Sequence, residues 1–116
     1  YKAPLTDLRF ALYDVLDAES AFARLGYADA NRELVDAVLE ESARFAETVI
    51  APLNRVGDEV GVAYDKATGK VTTPPGFKEA YAQFSEAGWS GLESPAEFGG
   101  QGMPHVLGGA MKEMLN

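Results

Sequence analysis

The chain has 116 residues, of which 47% are hydrophobic and 24% charged, so it is long enough for one domain with one modest core. Its 18 Asp and Glu residues outnumber its 10 Lys and Arg residues to give a formal net charge of −8, which argues against a nucleic-acid partner. It has no cysteine, which excludes a disulfide framework and thiolate ligands. We also expect a cytoplasmic protein without a membrane span or signal peptide.

The first predicted element is a short amphipathic helix. Thr6 or Asp7 would be its N-cap, because a side-chain oxygen at that position can accept a hydrogen bond from a free N–H group of the first turn. The helix is expected to end near Asp17, where negative charge opposes the helix dipole. Its apolar residues recur at helical spacing, at Leu8, Leu12, Val15 and Leu16.

A longer second helix is predicted to be the central rod of the domain. Residues 18–28 would connect to it, with about one helical turn at Ala21–Leu25 that Gly26 closes. Asp29 is predicted as its N-cap, and Pro52 should end or kink it, because proline disfavours α geometry at the preceding residue. Its buried stripe would consist of Leu34, Val35, Val38, Leu39, Phe45, Ala46, Val49 and Ile50. On its outer face we expect ion pairs four residues apart, Arg32 with Asp36 and Glu40 with Arg44.

The stretch from 53 to 73 has a weak pattern and is expected to be a loop, with a small hairpin near 62–72 that turns at Thr68–Gly69. A third helix is predicted after the Pro74-Pro75 pair, with Gly88 as its C′ residue. We interpret its apolar stripe as core, because the helical period explains it completely. The stripe consists of Phe77, Ala80, Tyr81, Phe84 and Ala87.

The stretch from Gly88 to Pro104 holds five glycines and two prolines, together with the only tryptophan. Trp89, Leu92 and Phe98 are expected to be buried, with Trp89 folding back on the third helix, because a large apolar side chain gains about 1.5–3 kcal/mol by burial. The stretch is therefore predicted to be an ordered loop. In the last helix, the Gly108-Gly109 pair indicates close approach of another group, either a helix or a bound ligand. The inward residues of this helix would be Val106, Leu107, Ala110, Met111, Met114 and Leu115.

We assign no catalytic, cofactor-binding or metal-binding role to any residue of the chain. The Gly99–Gly102 run lacks the spacing of a dinucleotide-binding loop, and no hydrophobic strand precedes it. His105 is the only histidine, so a multi-histidine metal site is not possible, and we expect it to be exposed. No two carboxylates stand out as a general acid and base. Three of them near the glycines are interpreted as solvated or capping residues: Glu93, Glu97 and Glu113.

Several motifs carry a family resemblance: Gly88-Trp89, Gly99-Gly100-Gln101-Gly102 with Pro104, Glu113-Met114, and the upstream runs 51–61 and 73–81. With these motifs the chain resembles the N-terminal helical domain of acyl-CoA dehydrogenases over essentially its whole length. It is similar to the branch that includes 3-methylmercaptopropionyl-CoA dehydrogenase, whose members begin with an extra segment, here Tyr1 through Phe10. The resemblance implies an all-α fold with about four main helices, divided into an extension segment, 1–28, and a helical domain, 29–116.

The resemblance also implies a flavoprotein oxidoreductase of fatty acid metabolism. Acyl-CoA dehydrogenases remove the α proton of an acyl-CoA with a glutamate base and pass the β hydrogen to FAD as hydride, which gives an enoyl-CoA. In the family the base and most of the flavin site lie in a middle β domain and a C-terminal helical domain, which would follow Asn116. The chain is therefore expected to be truncated there, to be inactive alone and to help wall the acyl pocket. An electron-transferring flavoprotein and a homo-oligomer are the partners that the family implies.

Two alternatives stay open beside this interpretation. The chain could be a stand-alone helical interaction domain that has the family's shape without its catalysis. It could also be part of a DNA-damage-related flavoprotein of the same superfamily, which the acidic charge balance does not favour. Under the dehydrogenase interpretation, an apolar surface that further domains normally cover would be exposed, so we expect the chain to self-associate.

Overall fold

The structure, a computed structural model, describes the whole chain from Tyr1 to Asn116 and confirms the predicted helical fold. Its helices form five continuous stretches, and its only sheet is a two-stranded hairpin. No helix is both long enough and apolar enough to cross a membrane. The elements are α1 (Leu5–Arg9), a π-helical turn (Phe10–Val15), α2 (Ala18–Arg24), α3 (Arg32–Phe45), a second π segment (Ala46–Ile50), α4 (Ala51–Val60), β1 (Ala63–Asp65), β2 (Lys70–Thr72), α5 (Phe77–Glu86), two 3₁₀ turns (Trp89–Gly91 and Ala96–Phe98) and α6 (His105–Leu115).

The N-terminal segment contains more helix than we predicted. α1 starts directly after Pro4 and has no side-chain cap, so the prediction of a Thr6 or Asp7 cap is wrong. The predicted connection 18–28 contains the seven residues of α2. Asp17 joins the two helices with a φ of 46°, a left-handed conformation that Asp tolerates better than most residues.

α3 begins two residues later than predicted. Asn31, not Asp29, is its N-cap, and the Asn31 side-chain oxygen accepts a hydrogen bond from the Leu34 N–H at 2.9 Å. Ala30, which lies between Asp29 and Asn31, is buried, so the chain enters the core before the helix starts. Asn and Asp are about equally good N-cap residues, so cap preference alone does not determine where the helix starts.

The central helix passes through Pro52 instead of ending there. Ala51 has α geometry, with φ −55° and ψ −41°, contrary to our prediction, and the helix continues to Val60 through residues that we expected to be a loop. The π segment Ala46–Ile50 explains how: the Ala51 N–H donates to the Ala46 carbonyl five residues back. This wider turn accommodates a proline ring that would otherwise clash with the carbonyl four residues before it.

The main core lies where α3 meets α1, α2 and α6. Neither of the two predicted ion pairs of α3 forms, because three of the residues bind the N-terminal segment instead: Asp36 and Glu40 both pair with Arg9, and Arg32 pairs with Glu19. Arg44 pairs with Glu41 instead of Glu40. The segment 1–28 thus shares one core with the rest of the chain. The buried cluster consists of Ala3, Leu12, Ala18, Phe22, Ala30, Val35, Leu39, Ala43, Ala46, Leu107, Ala110 and Met114.

The predicted hairpin is confirmed, and α5 follows it. β1 and β2 are antiparallel with Tyr64 opposite Val71, and every residue of both strands is exposed. Asp65 stabilises the turn, because its carboxylate accepts hydrogen bonds from the Ala67 N–H at 2.9 Å and the Thr68 hydroxyl at 2.7 Å. Gly88 follows α5 in a left-handed conformation, as predicted for a C′ residue.

Candidate functional site

One concave surface of the chain is an apolar groove of about 790 Å³. The π segment and α4 form one side, α5 forms the other, and the last turn of α6 closes one end. Eleven of its fifteen lining residues are hydrophobic, so it suits an apolar occupant. We call this surface the apolar groove; its lining includes Ala46, Ile50, Leu53, Phe77, Tyr81, Phe84, Met114 and Leu115.

The aromatic stripe of α5 lines this groove and does not form a core. Ala80 is buried, but Tyr81 is 71% exposed and Phe77 also lies at the surface. Phe84 is half-buried, with its ring centroid 6.1 Å from that of Phe45 on α3. The helical period therefore correctly identified one apolar face of α5. That face is open to solvent, so the prediction that it forms part of the core is wrong.

The polar groups of the groove are few and do not fit FAD. Asn54, Asp58, Asn116 and the tyrosine hydroxyls are the polar groups of its lining side chains, and no Lys or Arg lines it. A flavin dinucleotide carries a diphosphate that needs hydrogen-bond donors or positive charge, and the Asp58 carboxylate would repel it. The groove accordingly offers apolar contact and no flavin site. No group of three His, Cys, Asp or Glu side chains comes close enough to hold a metal ion.

The glycine-rich loop, residues 88–104, lies beside the groove. Backbone hydrogen bonds between its own residues stabilise its conformation. Gln101 donates to Gly91, Gly102 to Ser94 and Met103 to Leu92, all within 2.8–2.9 Å. A Cβ at Gly100 would overlap the Ser94 backbone, which explains a glycine there. The loop is thus ordered, as predicted.

Only part of the predicted burial within this loop is correct. Leu92 is buried, with 1% of its surface exposed, and Trp89 is half-buried. Trp89 and Phe84 of α5 line a common cavity of about 440 Å³. Phe98, however, is 80% exposed at the end of a short 3₁₀ turn that has no buried residue.

Glu93 of the loop is neither solvated nor a helix cap, contrary to our prediction. One of its oxygens, Oε2, lies 2.6 Å from Nδ1 of His105, and the other, Oε1, accepts a hydrogen bond from Nζ of Lys112 at 2.5 Å. Both partners, with Lys112 having the larger effect, lower the pKa of the Glu93 carboxyl below its usual value. His105 is exposed as predicted, but its ring is also a hydrogen-bond partner of Glu93.

The two glycines of α6 have different surroundings. A Cβ at Gly108 would overlap the Glu93 carboxylate, whereas a Cβ at Gly109 would meet nothing within 4 Å. The predicted close approach is therefore correct for Gly108, and the approaching group is a side chain instead of a helix or a ligand. Sequence reasoning missed Glu93 as the partner, although the unexplained glycine pair signalled that one existed. Met111 and Met114 are buried as predicted, but Val106 is partly exposed.

Two curated relatives match the chain along its length. It is 39% identical over 116 residues to 3-methylmercaptopropionyl-CoA dehydrogenase of Ruegeria pomeroyi. It is 28% identical over 115 residues to the broad-specificity linear acyl-CoA dehydrogenase FadE5 of Mycobacterium tuberculosis. The chain spans 19% of the length of each relative. No protein-family model matches it. The resemblance to acyl-CoA dehydrogenases is thus confirmed: the chain is similar to a part of such enzymes.

Proposed function

We propose that the chain is the N-terminal part of a flavin-dependent acyl-CoA dehydrogenase, an enzyme that converts an acyl-CoA thioester to the enoyl-CoA. The observation that carries this proposal is the similarity of all 116 residues to a named acyl-CoA dehydrogenase at 39% identity. In this proposal residues 1–28 are an extension segment and residues 29–116 are the N-terminal helical domain, with the middle β and C-terminal helical domains supplied by further sequence.

The role proposed for this chain is to help wall the acyl pocket through the apolar groove. An acyl tail is an apolar chain, and each buried methylene contributes about 0.8 kcal/mol when it leaves water. Side chains from the π segment, α4, α5 and α6 present such a surface, without a positive charge that would attract the CoA phosphates. The chain would supply binding and exclude water, and it would be inactive alone because it lacks the base and the flavin site.

The cofactor and partners of this proposal are those that the family resemblance implies. FAD would be bound by the remainder of the enzyme, because the groove residues do not fit its diphosphate. An electron-transferring flavoprotein would receive the electrons, and the enzyme would be a cytoplasmic homo-oligomer.

The groove's role is tested with the protein expressed from its native gene. Enoyl-CoA formation is measured with an artificial electron acceptor for the wild type, Tyr81→Ala and the matched control Tyr64→Ala, a similarly exposed tyrosine on the hairpin. We expect kcat/KM to fall about tenfold for Tyr81→Ala, because apolar contact with the acyl tail is lost, and to be unchanged for Tyr64→Ala. Equal values for the two variants would contradict the wall role, and a wild type without desaturation would contradict the enzyme assignment.

The alternative, a stand-alone interaction domain, rests on the same groove. An open apolar surface of this size also suits a partner helix or sheet. A native product without flavin that binds another protein through Tyr81 would favour this alternative.

A further inference from the structure

The side chain of Glu93 is mostly buried and has two polar partners, although it lies in a glycine-rich loop. Only 21% of its side chain is exposed, although its two partners, His105 and Lys112, are largely in solvent. Both partners lie on α6, three residues before and four residues after Gly108, and therefore on one face of the helix. The carboxylate thus bridges two turns of α6 from a separate segment of the chain.

Gly108 provides the space for this carboxylate. Any side chain there would occupy the position of the Glu93 carboxyl group, whereas the adjacent Gly109 faces open space. A glycine inside a helix costs about 1 kcal/mol relative to alanine. The structure gives Gly108 a compensating contact and gives Gly109 none, so the two glycines form a natural pair for comparison.

Glu93 is also the point where the loop is fastened to α6. Its bonds to His105 and Lys112 are the only side-chain hydrogen bonds that join the loop to this helix. The residues on either side of Glu93 are anchored, since Leu92 is buried and the Ser94 carbonyl accepts a backbone bond from across the loop. Glu93 thus contacts α6 from a part of the loop whose backbone is well ordered.

We propose that Glu93 is a clasp that seats the glycine-rich loop on α6 and so fixes the end of that helix, where Met114 and Leu115 line the apolar groove. Phe84 connects the two regions, because it lines both the groove and the smaller cavity that Glu93 borders. Glu93 is thereby a positioning residue and not a catalytic one, since its carboxylate does not line the groove. Only its effect on acyl binding rests on the proposed function; its hold on the loop does not.

The clasp depends on the charge of the carboxylate. The charged or titratable groups that face Glu93 are His105 and Lys112, both on α6. Because they lower the pKa of Glu93, its stabilising effect is complete above the ordinary glutamate value of 4.5 and is lost as the pH falls through the lowered value. Acidification should therefore release the loop.

Hydrogen exchange of the protein expressed from its native gene tests the clasp on peptides that cover 88–104, with hairpin peptides as the internal reference. We expect Glu93→Ala and Gly108→Ala each to speed exchange in the loop about five- to tenfold, and the control Gly109→Ala to leave it unchanged. In the Glu93→Ala protein, the further change Gly108→Ala should have no additional effect, because the contact is already gone. Additive effects, or equal effects of the two alanine substitutions on α6, would overturn the clasp.

A pH series separates the clasp from a merely structural contribution of the side chain. After correction for the intrinsic pH dependence of exchange, the wild-type loop should exchange faster below pH 4.5, and Glu93→Gln should be fast already at neutral pH without a further acid step. A loop in Glu93→Gln that keeps the wild-type acid step would overturn the role of this carboxylate.

Kinetics with acyl-CoA distinguish the clasp from the proposed function. If both hold, Gly108→Ala raises KM severalfold with kcat nearly unchanged, whereas Gly109→Ala leaves both constants as they are. A faster-exchanging loop with an unchanged KM would support the clasp and contradict the groove's role in acyl binding. An unchanged loop would contradict the clasp, whatever the kinetic constants.

Discussion

At the scale of single residues, Asp36 shows how one half-buried carboxylate joins distant parts of the chain. It accepts hydrogen bonds from Nε of Arg9 at 2.9 Å and from the hydroxyl of Tyr13 at 3.1 Å. The guanidinium of Arg32 lies 3.9 Å from the centroid of the Tyr13 ring and pairs with Glu19. The N-terminal segment is thus fastened to α3 by contacts between 13 and 27 residues apart in sequence.

The Tyr13→Phe substitution tests this attachment. Burial, and then the hydrogen bond to Asp36, raise the pKa of Tyr13 from 10.0 to about 12, so its neutral form is favoured in the folded chain. Its stabilising effect is complete below pH 10 and is lost as the pH rises towards about 12. We expect the substitution to cost about 1 kcal/mol at neutral pH and to remove this alkaline component, measured by urea unfolding across the pH range.

Tyr64→Phe is the control for this experiment, because the Tyr64 hydroxyl lies on the exposed hairpin. An alkaline loss of stability that is the same in wild type and Tyr13→Phe would show that Tyr13 does not fasten the segment. Absorbance of the phenolate ion gives a second measurement, since one tyrosine of the five should ionise late in wild type and be missing in the variant.

At the scale of elements, the start of the central helix is set by its N-cap, Asn31. The Asn31 side chain accepts a hydrogen bond from the first turn of α3, and Asp29 lies outside the helix. Because an N-cap satisfies an N–H group that otherwise has no partner, Asn31→Ala should cost about 1 kcal/mol of unfolding free energy. Asp29→Ala should change it by less than about 0.5 kcal/mol, as is usual for an exposed residue without partners. Urea unfolding compares them, and a larger loss for Asp29→Ala would contradict the observed helix start.

The secondary-structure elements could be predicted from the sequence more completely than the contacts and exposure of each element. Local signals located the hairpin near 62–72, the left-handed Gly88 and the periodic face of α5, because each depends on residues a few positions apart. The helix through Pro52 was missed, because a π segment is a backbone adjustment that no residue pattern announces. The exposure of the α5 face was missed for a different reason: a periodic pattern shows that a face is apolar but not whether another element covers it.

The candidate site could be predicted only in outline. The Gly108-Gly109 pair indicated that something approaches α6, and one of the two does have a close neighbour. The identity of that neighbour was not readable, since Glu93 meets His105 and Lys112 across 12 and 19 residues of sequence. Pairings of this length are set by the fold, and one sequence holds no signal for them.

At the scale of the whole molecule, the chain is extended and thinly packed. Its radius of gyration is 17.0 Å, whereas about 13 Å is typical of a compact domain of this length. Only 20 of 116 residues are buried, so a single small core must stabilise an object of 56 × 33 × 17 Å. The open side of the apolar groove and the exposed hairpin lie outside this core.

The 116-residue chain produced alone should therefore self-associate through the groove. We expect its mean mass to rise with concentration in sedimentation equilibrium, because burying the exposed α5 face removes apolar surface from water. Tyr81→Lys should shift this association to higher concentration, and Tyr64→Lys on the hairpin is the matched control. A wild-type chain that stays monomeric at all concentrations would contradict this prediction.

One spectroscopic measurement tests the proposal that the chain is the N-terminal part of a flavin-dependent acyl-CoA dehydrogenase. The protein expressed from its native gene is purified, its intact mass is determined, and its visible flavin absorption is followed without oxygen as acyl-CoAs are added. This assignment predicts a product about five times heavier than the chain, in keeping with its 19% share of the relatives' length. The flavin absorption of that product should be bleached by an acyl-CoA. A product of only 12.4 kDa without flavin would contradict the assignment.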